Sequence, residues 1–200
     1  MFGGVEMSRN HMKKVHCPDC KKEYEIQMWD SITGDLNREE KRNILNGEFG
    51  RNDCPFCGRK NYFVYPFLYH DMNSKCMIGL QCNYGNDFLE KYAPEGYRFR
   101  IVDDMAHLAE KIAIFDSGLN DLIVETTKYI VSNILQLKSG LLFLSLKSDK
   151  LEFVDEENPI NVISVPKEMY QEAYDLFDKK DLQEKLIFVK VDRAYIESMT

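Results

Sequence analysis

The chain has 200 residues, of which 44% are apolar and 30% are charged, a composition that supports a folded core and excludes a disordered chain. Its formal net charge of −7 is unevenly spread, because residues 1–100 hold 15 Lys/Arg against 14 Asp/Glu and residues 101–200 hold 11 against 19. Since binding to phosphates requires clustered Lys and Arg, the acidic C-terminal half argues against a general nucleic-acid-binding protein.

The first half of the chain alternates two cysteine pairs with short strand-like and helical segments. Asn37, with Glu40 three residues later, has the spacing of a helix capping box, and Gly47 stands where such a helix would end. A turn at 71–74 between two strand-like segments predicts an antiparallel hairpin. In chain order the pattern predicts a strand over residues 24–29, a helix over 37–47, strands over 61–69 and 75–82, a connection over 83–96 and a strand over 97–102.

The second half begins with helical periodicity and then returns to strands. Asp104 is the predicted N-cap of a helix that ends at Gly118, and a second amphipathic helix follows with Ile130 and Ile134 on its apolar face. The remaining predicted elements are strands over 141–147, 151–154 and 161–165, a helix over 167–179 that follows Pro166, and a last strand over 186–191.

The expected cellular compartment follows from the shortness of the apolar segments. The longest mainly apolar run, residues 141–146, cannot cross a bilayer, and the first six residues contain no hydrophobic signal segment. We therefore expect a cytoplasmic protein whose thiols stay reduced, so that its six cysteines indicate a metal site before disulfide bonds.

Two Cys-Pro-x-Cys motifs carry the clearest chemical signal in the sequence. Two thiolates separated by two residues can hold one ion from a tight turn, which proline stiffens, and Gly58 permits the left-handed backbone by which the chain leaves the second turn. Because loop-closure entropy rises slowly with length, the distance between the motifs is no obstacle. We predict that one structural metal ion, zinc before iron, is bound by Cys17, Cys20, Cys54 and Cys57.

The cysteines have alternative roles besides binding a structural metal ion. A redox dithiol at Cys54 and Cys57 would need a strand-to-helix junction, which lowers the thiol pKa, whereas strand-like sequence follows here and the motif occurs twice. Iron in a rubredoxin-like site uses similar turns and stays open. Cys76 and Cys82 lie on a predicted apolar strand, and we expect them to be buried thiols that bind no metal.

The histidines and the basic residues near the motifs each have a structural and a functional interpretation. His70 beside Asp71 resembles an acid–base pair, but we predict an ordinary hydrogen-bonded histidine at a strand end. His16 is expected to be exposed or to support the metal site without ligating, and His107 to be solvated. Seven cations near the motifs either contact nucleic acid or, as we expect, offset a metal–tetrathiolate centre; they are Lys13, Lys14, Lys21, Lys22, Arg51, Arg59 and Lys60.

Several segments resemble the CpXC domain family, which is named for its paired Cys-Pro-x-Cys motifs. They are residues 17–20 (CPDC), 28–32 (MWDSI), 44–49 (ILNGEF), 54–58 (CPFCG) and 65–72 (YPFLYHDM). The helical segment 110–121 (EKIAIFDSGLND) is also similar, so the resemblance covers most of residues 15–130. It implies a metal site on the four motif cysteines. Because the family is bacterial and archaeal and functionally uncharacterised, it implies no reaction.

Together these features predict an α+β fold: a zinc-ribbon-like antiparallel β-sheet with an inserted short helix, followed by a helical hairpin and a small C-terminal α+β unit. We assign residues 13–138 to a CpXC-type domain, with the sheet at about 13–82 and a strand and helical pair at about 97–138, and residues 139–200 to a C-terminal α+β subdomain.

The expected function is that of a cytoplasmic zinc-binding protein that acts through contacts with an unidentified protein partner and catalyses no reaction. We expect no membrane and no nucleic-acid partner, and leave homo-oligomer formation open. The alternatives are a nucleic-acid-binding zinc ribbon and an enzyme that uses His70 and Asp71. No Gly-rich phosphate loop, nucleophile elbow or carboxylate pattern for a catalytic metal is present in the sequence.

Overall fold

A computed structural model describes residues 8–82, 85, 89, 94–178, 182–183 and 186–199. The elements in these residues are, in chain order, β1 (Arg9–His16), β2 (Glu23–Thr33), α1 (Arg38–Leu45), β3 (Arg51–Asp53), β4 (Lys60–Tyr62), β5 (Phe67–Asp71), β6 (Cys76–Leu80), β7 (Arg98–Val102), α2 (Met105–Asp116), α3 (Asp121–Leu135), β8 (Leu141–Lys147), β9 (Lys150–Asp155), β10 (Val162–Pro166), α4 (Lys167–Tyr174) and α5 (Arg193–Glu197). The α+β class is confirmed. In the described residues, no helix is both long and apolar enough to span a membrane.

The largest sheet has five strands in the order β1-β2-β5-β6-β7. The β5–β6 hairpin is antiparallel as predicted, but β2 pairs with β5 and β6 pairs with β7 in parallel. The prediction of an antiparallel sheet is therefore wrong. Parallel neighbours need a long crossover connection, and the segment between β2 and β5, which contains α1, supplies one.

One apolar core joins this sheet to the helices and to a second, three-stranded antiparallel sheet of order β10-β9-β8. Tyr69 and Ile78 from the large sheet, Ile112 from α2 and Phe153 from β9 all belong to it and are at most 1% exposed. The core thus takes residues from both sides of position 138. The proposed division into two domains at that position stays a prediction.

The predicted helix boundaries are confirmed at most ends. Asp104 caps α2 by accepting a hydrogen bond from the His107 backbone N–H at 2.9 Å, and Gly118, just beyond that helix, has φ +70°. Gly47 has φ +71° and follows α1. The Asn37 side chain does not cap α1, because its Oδ1 instead accepts a hydrogen bond from the Ser8 hydroxyl.

Several elements differ from the predicted pattern. The polar strand β1 was not predicted, and the predicted strand over 61–69 is two strands, β4 and β5. The predicted strand over 186–191 is reduced to a single bridge between Val189 and Arg100, and α5 follows it. Helix α4 ends at Tyr174. The predicted connection over 83–96 lies largely outside the described residues.

Candidate metal centre

The first cysteine turn connects β1 to β2. The Cys17 N–H donates to the Lys22 carbonyl and the Lys21 N–H donates to the Cys17 carbonyl, each at 3.0 Å. Lys21 has φ +59°, in the left-handed region. These bonds fold the backbone so tightly that Cys17 and Cys20 lie on the same side of the turn.

The second cysteine turn connects β3 to β4 and repeats the first bond for bond. The Cys54 N–H donates to the Arg59 carbonyl at 2.8 Å, and the Gly58 N–H donates to the Cys54 carbonyl at 2.9 Å. Gly58, at φ +72°, occupies the position that Lys21 occupies in the first turn. Glycine adopts this conformation without the steric penalty that a Cβ brings, which is the role predicted for it.

The two turns face each other and bring all four sulfurs together. The Cys17 and Cys57 sulfurs are 3.7 Å apart, as are those of Cys20 and Cys54, and all four lie within 4.8 Å of one another. A tetrahedral ion with metal–sulfur bonds of about 2.3 Å needs sulfurs about 3.8 Å apart. Four cysteines in this arrangement fit a single tetrahedral metal ion.

A small apolar cluster surrounds the sulfurs. Cys17 and Cys54 are buried and Cys57 is exposed, so the cluster covers one side of the site and leaves the other open to solvent. Tyr24 and Ile26 on β2 are the other buried members, and the Tyr24 hydroxyl accepts a hydrogen bond of 2.9 Å from the Asn61 amide. We call residues 9–28 and 51–63, which carry this cluster and the four cysteines, the thiol lobe.

The four sulfurs change one another's proton affinity. Burial raises the pKa of the Cys17 thiol, but hydrogen bonds from the Cys20 and Asp19 backbones and from the neighbouring thiols outweigh it and lower that pKa to about 6. For Cys57, a backbone hydrogen bond from Arg59 lowers the pKa, while burial and its thiol neighbours raise it to about 12. A cluster that stabilises its first negative charge and resists further ones needs a cation to become fully deprotonated.

The charged residues of the thiol lobe are mostly exposed and partly paired. Lys14 lies 3.1 Å from Glu23, and Arg59 lies 3.4 Å from Asp19. The Lys22 ammonium stands 4.9 Å from the centre of the Phe56 ring. The predicted basic cluster is therefore partly neutralised by neighbouring acids.

The remaining cysteines stand apart from this group. Cys76 is buried in the main core, as predicted, and burial raises the pKa of its thiol. Cys82 is half-buried, and its thiol donates to the Phe67 carbonyl at 3.3 Å. Among the described residues, the four motif cysteines are the group whose ligand atoms are close enough to share an ion.

The structure separates His70 from Asp71, which the enzyme alternative needs together. Successive side chains of a strand point to opposite faces, so His70 pairs with the Tyr97 hydroxyl at 3.2 Å while Asp71 points into the main core. There its carboxylate accepts from the Tyr69 hydroxyl at 3.0 Å and the Lys41 ammonium at 2.9 Å. The two side chains therefore do not form one acid–base site.

The other histidines also have ordinary partners. His16 is exposed, with its Nε2 4.0 Å from a Glu23 carboxylate oxygen, and it is not among the clustered ligand atoms. His107 was predicted to be solvated but is only partly exposed, and its Nδ1 lies 2.8 Å from the Asp104 carboxylate.

A buried ion-pair network was missed by the sequence analysis. Arg100 donates two hydrogen bonds of 2.8 Å to Asp121, and the Lys111 ammonium lies 3.2 Å from both Asp121 and Glu125. All the members are at most 8% exposed: Arg100, Glu110, Lys111, Asp121, Glu125 and Lys128. Charged residues that flank the apolar stripe of a helix ordinarily face solvent, so the sequence did not predict their burial. The signal in the sequence was the close spacing of charged residues beside the apolar stripes of α2 and α3.

Comparison with protein families gives one result. The family model described as CpXC protein matches residues 15–128, which is more than half of the chain and includes all four clustered cysteines. No curated protein and no solved structure matches the chain.

Proposed function

The chain belongs to the CpXC protein family, and we propose that its four motif cysteines hold one structural zinc ion in a zinc-ribbon-like lobe. The separation of the sulfurs carries the proposal, since two of the sulfur–sulfur distances are 3.7 Å and a tetrahedral zinc–thiolate centre requires about 3.8 Å. Bound zinc would supply no reaction step here, because four thiolates fill its coordination sphere.

Zinc is favoured over iron by the surroundings of the sulfurs rather than by their number. Both metals accept four cysteines from paired turns. Here Cys57 is exposed, which opens one side of the site to solvent. The lobe has few other buried residues, so we expect the ion to stabilise its fold. A metal without redox chemistry is sufficient for that role.

Elemental analysis of the purified protein tests the metal. The proposal expects about one equivalent of zinc per chain, lost in a Cys54→Ser variant and kept in a Cys76→Ser variant. A red protein with visible absorption would assign iron instead. Less than about a tenth of an equivalent of any metal, in protein purified without a chelator, would refute a structural metal centre.

We further propose that the whole protein is a cytoplasmic, non-catalytic module that binds a protein partner. The support is the exposed surface of the thiol lobe, where β1 is an edge strand whose side chains are nearly all exposed. An edge strand offers unpaired backbone groups to another chain, although the lysines on β1 oppose unspecific pairing. Capture of partners by the wild-type protein, but not by a Cys54→Ser variant, tests this role.

Nucleic-acid binding is a second candidate, with one observation in its favour. Phe56 and Tyr62 are 54% and 55% exposed near the lysines of the thiol lobe, and aromatic rings with cations are the contacts that bind single strands. Against it stand the paired acids Asp19 and Glu23 and the negative charge of the thiolates.

Fluorescence anisotropy with mixed DNA and RNA oligonucleotides separates the two candidates. We expect no binding tighter than about 1 μM at physiological salt, because too few unpaired cations are available to release counterions. Binding that weakens steeply with salt and is lost when Lys22 and Lys60 are both changed to Gln would place nucleic acid first.

A further inference from the structure

The C-terminal three-stranded sheet packs on the main core with one face only. Phe143 and Phe153 point to that core and are buried in it. Because successive side chains of a strand point to opposite faces, their neighbours in sequence point away from it. We call this second side of the sheet the outer face; its apolar residues are Leu142, Leu144, Val154 and Val162.

A row of apolar residues crosses all three strands on the outer face. Val154 on β9 pairs with Leu142 on β8 and with Val162 on β10. Val162 is 55% exposed and Leu144, at the bulge in β8, is 45% exposed, whereas Val154 is shielded between its neighbours at 6%. Apolar residues that stand together on a surface indicate a protein interface, because covering them removes apolar area from water.

The helices that contact this sheet lie on its other side. Helices α2 and α3 contact β8, and α4 contacts β10. Each of the three packs side chains on the main core, among them Leu108, Val124 and Met169. The exposure of Leu144 and Val162 shows that the outer face has no such cover from the part of the chain that the structure describes.

One end of the outer face is basic and lies at the turn between β8 and β9. Lys147 is exposed there and pairs with Glu152 at 3.2 Å. Lys150 is also exposed and, by the alternation along β9, points to the same face as Glu152 and Val154. Within the described ranges no carboxylate lies at ion-pair distance from Lys150, so one positive charge stands unpaired at this end.

The opposite end of the outer face is acidic. Asp155, Glu156 and Glu157 follow one another where β9 ends, and the last two are exposed. No Lys or Arg occurs in the sequence from residue 151 to residue 166. At about 3.3 Å per residue, β9 separates the two ends by about 17 Å, which exceeds the Debye length of about 8 Å at physiological salt. The two ends therefore do not neutralise each other within one chain.

A second copy of the same chain complements this charge order when its strands run in the opposite direction. Two sheets pack face to face about 10 Å apart with their strands nearly aligned. If the two-fold axis lies between the sheets and perpendicular to the strands, the basic end of each copy lies over the acidic end of the other. The apolar rows then meet at the centre, because Val154 lies between the two charged ends of β9.

We propose that the outer face is the interface of a homodimer in which two C-terminal sheets pack face to face with their strands antiparallel. Leu142, Leu144 and Val162 of both copies form its apolar centre, and Lys150 of each copy lies near Glu157 of the other. The dimer does not depend on the metal or the partner proposed for the thiol lobe, because neither the cysteines nor β1 belong to the outer face.

Sedimentation equilibrium of the full chain between about 1 and 200 μM tests the interface. We expect a monomer–dimer equilibrium with a Kd below about 50 μM. Val162→Asp should raise the Kd at least about tenfold, because the symmetry buries its charge twice in the apolar centre. The matched control is Ile134→Asp at a position on α3 that is 65% exposed, and it should leave the Kd unchanged. Circular dichroism should show that both variants stay folded.

Charge reversal tests the antiparallel arrangement. Lys150→Glu and Glu157→Lys should each raise the Kd about fivefold, because two symmetric attractions become repulsions, and the double variant should return to within about twofold of the wild type. The proposal is overturned if the chain is monomeric at 200 μM or if Val162→Asp and Ile134→Asp act alike. It is also overturned if the double variant dimerises no better than the single ones, or if a chelator that removes zinc dissociates the dimer.

Discussion

The thiol lobe and the region between α2 and α3 bury polar groups in opposite ways. The lobe has four buried members in its apolar cluster, two of them the cysteines Cys17 and Cys54, and it gathers four thiols that need a cation. The α2–α3 region sits against the main core and balances three cations with three carboxylates of the protein itself. A small unit with little apolar surface needs an external ion, whereas a unit with a large core can neutralise its charges internally.

This difference predicts that the two regions respond to different perturbations. Removing a ligand of the thiol lobe should unfold that lobe and leave the main core intact, because metal binding and folding of such a unit are coupled. Removing a member of the ion-pair network should destabilise the main core and leave the metal content unchanged.

The largest effect is expected from Cys54→Ser. Losing one of four ligands should remove on the order of 5 kcal/mol or more from the stability of the thiol lobe, since most of the metal-binding free energy is lost. Cys76→Ser, which puts a hydroxyl into the main core, should lower the free energy of unfolding by about 1–3 kcal/mol. Chemical denaturation of both variants measures the difference. Equal losses would mean that Cys76 shares the role of the motif cysteines.

Asp121→Asn should have the next largest effect. The carboxylate of Asp121 neutralises the buried Arg100 guanidinium and contacts Lys111, and those cations lower its pKa although burial raises it. Leaving Arg100 and Lys111 without this carboxylate should lower the free energy of unfolding by about 3–5 kcal/mol. The matched control is Asp149→Asn at a highly exposed position, which should hardly shift the melting temperature. If Asp149→Asn lowers the melting temperature as much as Asp121→Asn does, the buried ion pairs do not stabilise the main core more than an exposed one does.

Acid should separate the thiol lobe from the main core. Burial raises the pKa of Asp71, but hydrogen bonds from the Ser74 backbone and Lys41 prevail and lower it to about 2 from an ordinary 3.8. A lowered pKa means that its stabilisation is complete above about pH 4 and is lost as the pH falls through about 2. The thiol lobe should fail at higher pH, because protons compete with the metal for thiolates. Near-ultraviolet circular dichroism and metal release, followed together from pH 7 to 2, should give two transitions. A single joint transition would argue against independent regions.

Two features of the structure could be predicted from the sequence because they are local. The Cys-Pro-x-Cys spacing sets each turn, and both turns form the same pair of backbone hydrogen bonds. The cap of α2 by Asp104 is equally local and was also predicted. Patterns within about six residues contain enough information to specify such structures.

The features that were missed depend on contacts between distant segments. The parallel pairing of β2 with β5 is chosen by the shared core rather than by either strand. Ile134 was placed on an apolar helix face but is 65% exposed, while Lys111 and Lys128 are buried because carboxylates from a neighbouring helix meet them. The edge strand β1 was missed because its mostly polar residues face solvent and lack an apolar alternation.

The smallest effect is expected from Lys14→Ala on β1. This lysine pairs with Glu23 at 3.1 Å, and the hydrogen bond to that carboxylate raises its pKa, but both side chains are well exposed. Solvent screening makes such pairs weak, so the melting temperature should change by less than about 2 °C. A larger shift, measured by differential scanning calorimetry, would show that the thiol lobe depends on its surface charges as well as on the cysteines.

Hydrogen exchange before and after removal of the metal tests whether the thiol lobe is a separate metal-dependent unit. After treatment with a strong chelator, backbone amides in residues 15–28 and 51–63 should lose their protection, while those of α2 and α3 keep theirs. Adding one equivalent of zinc should restore the protection of the lobe. If the lobe stays protected without metal, or if the helices lose protection together with it, the four thiols are not what holds this lobe as a separate metal-dependent unit.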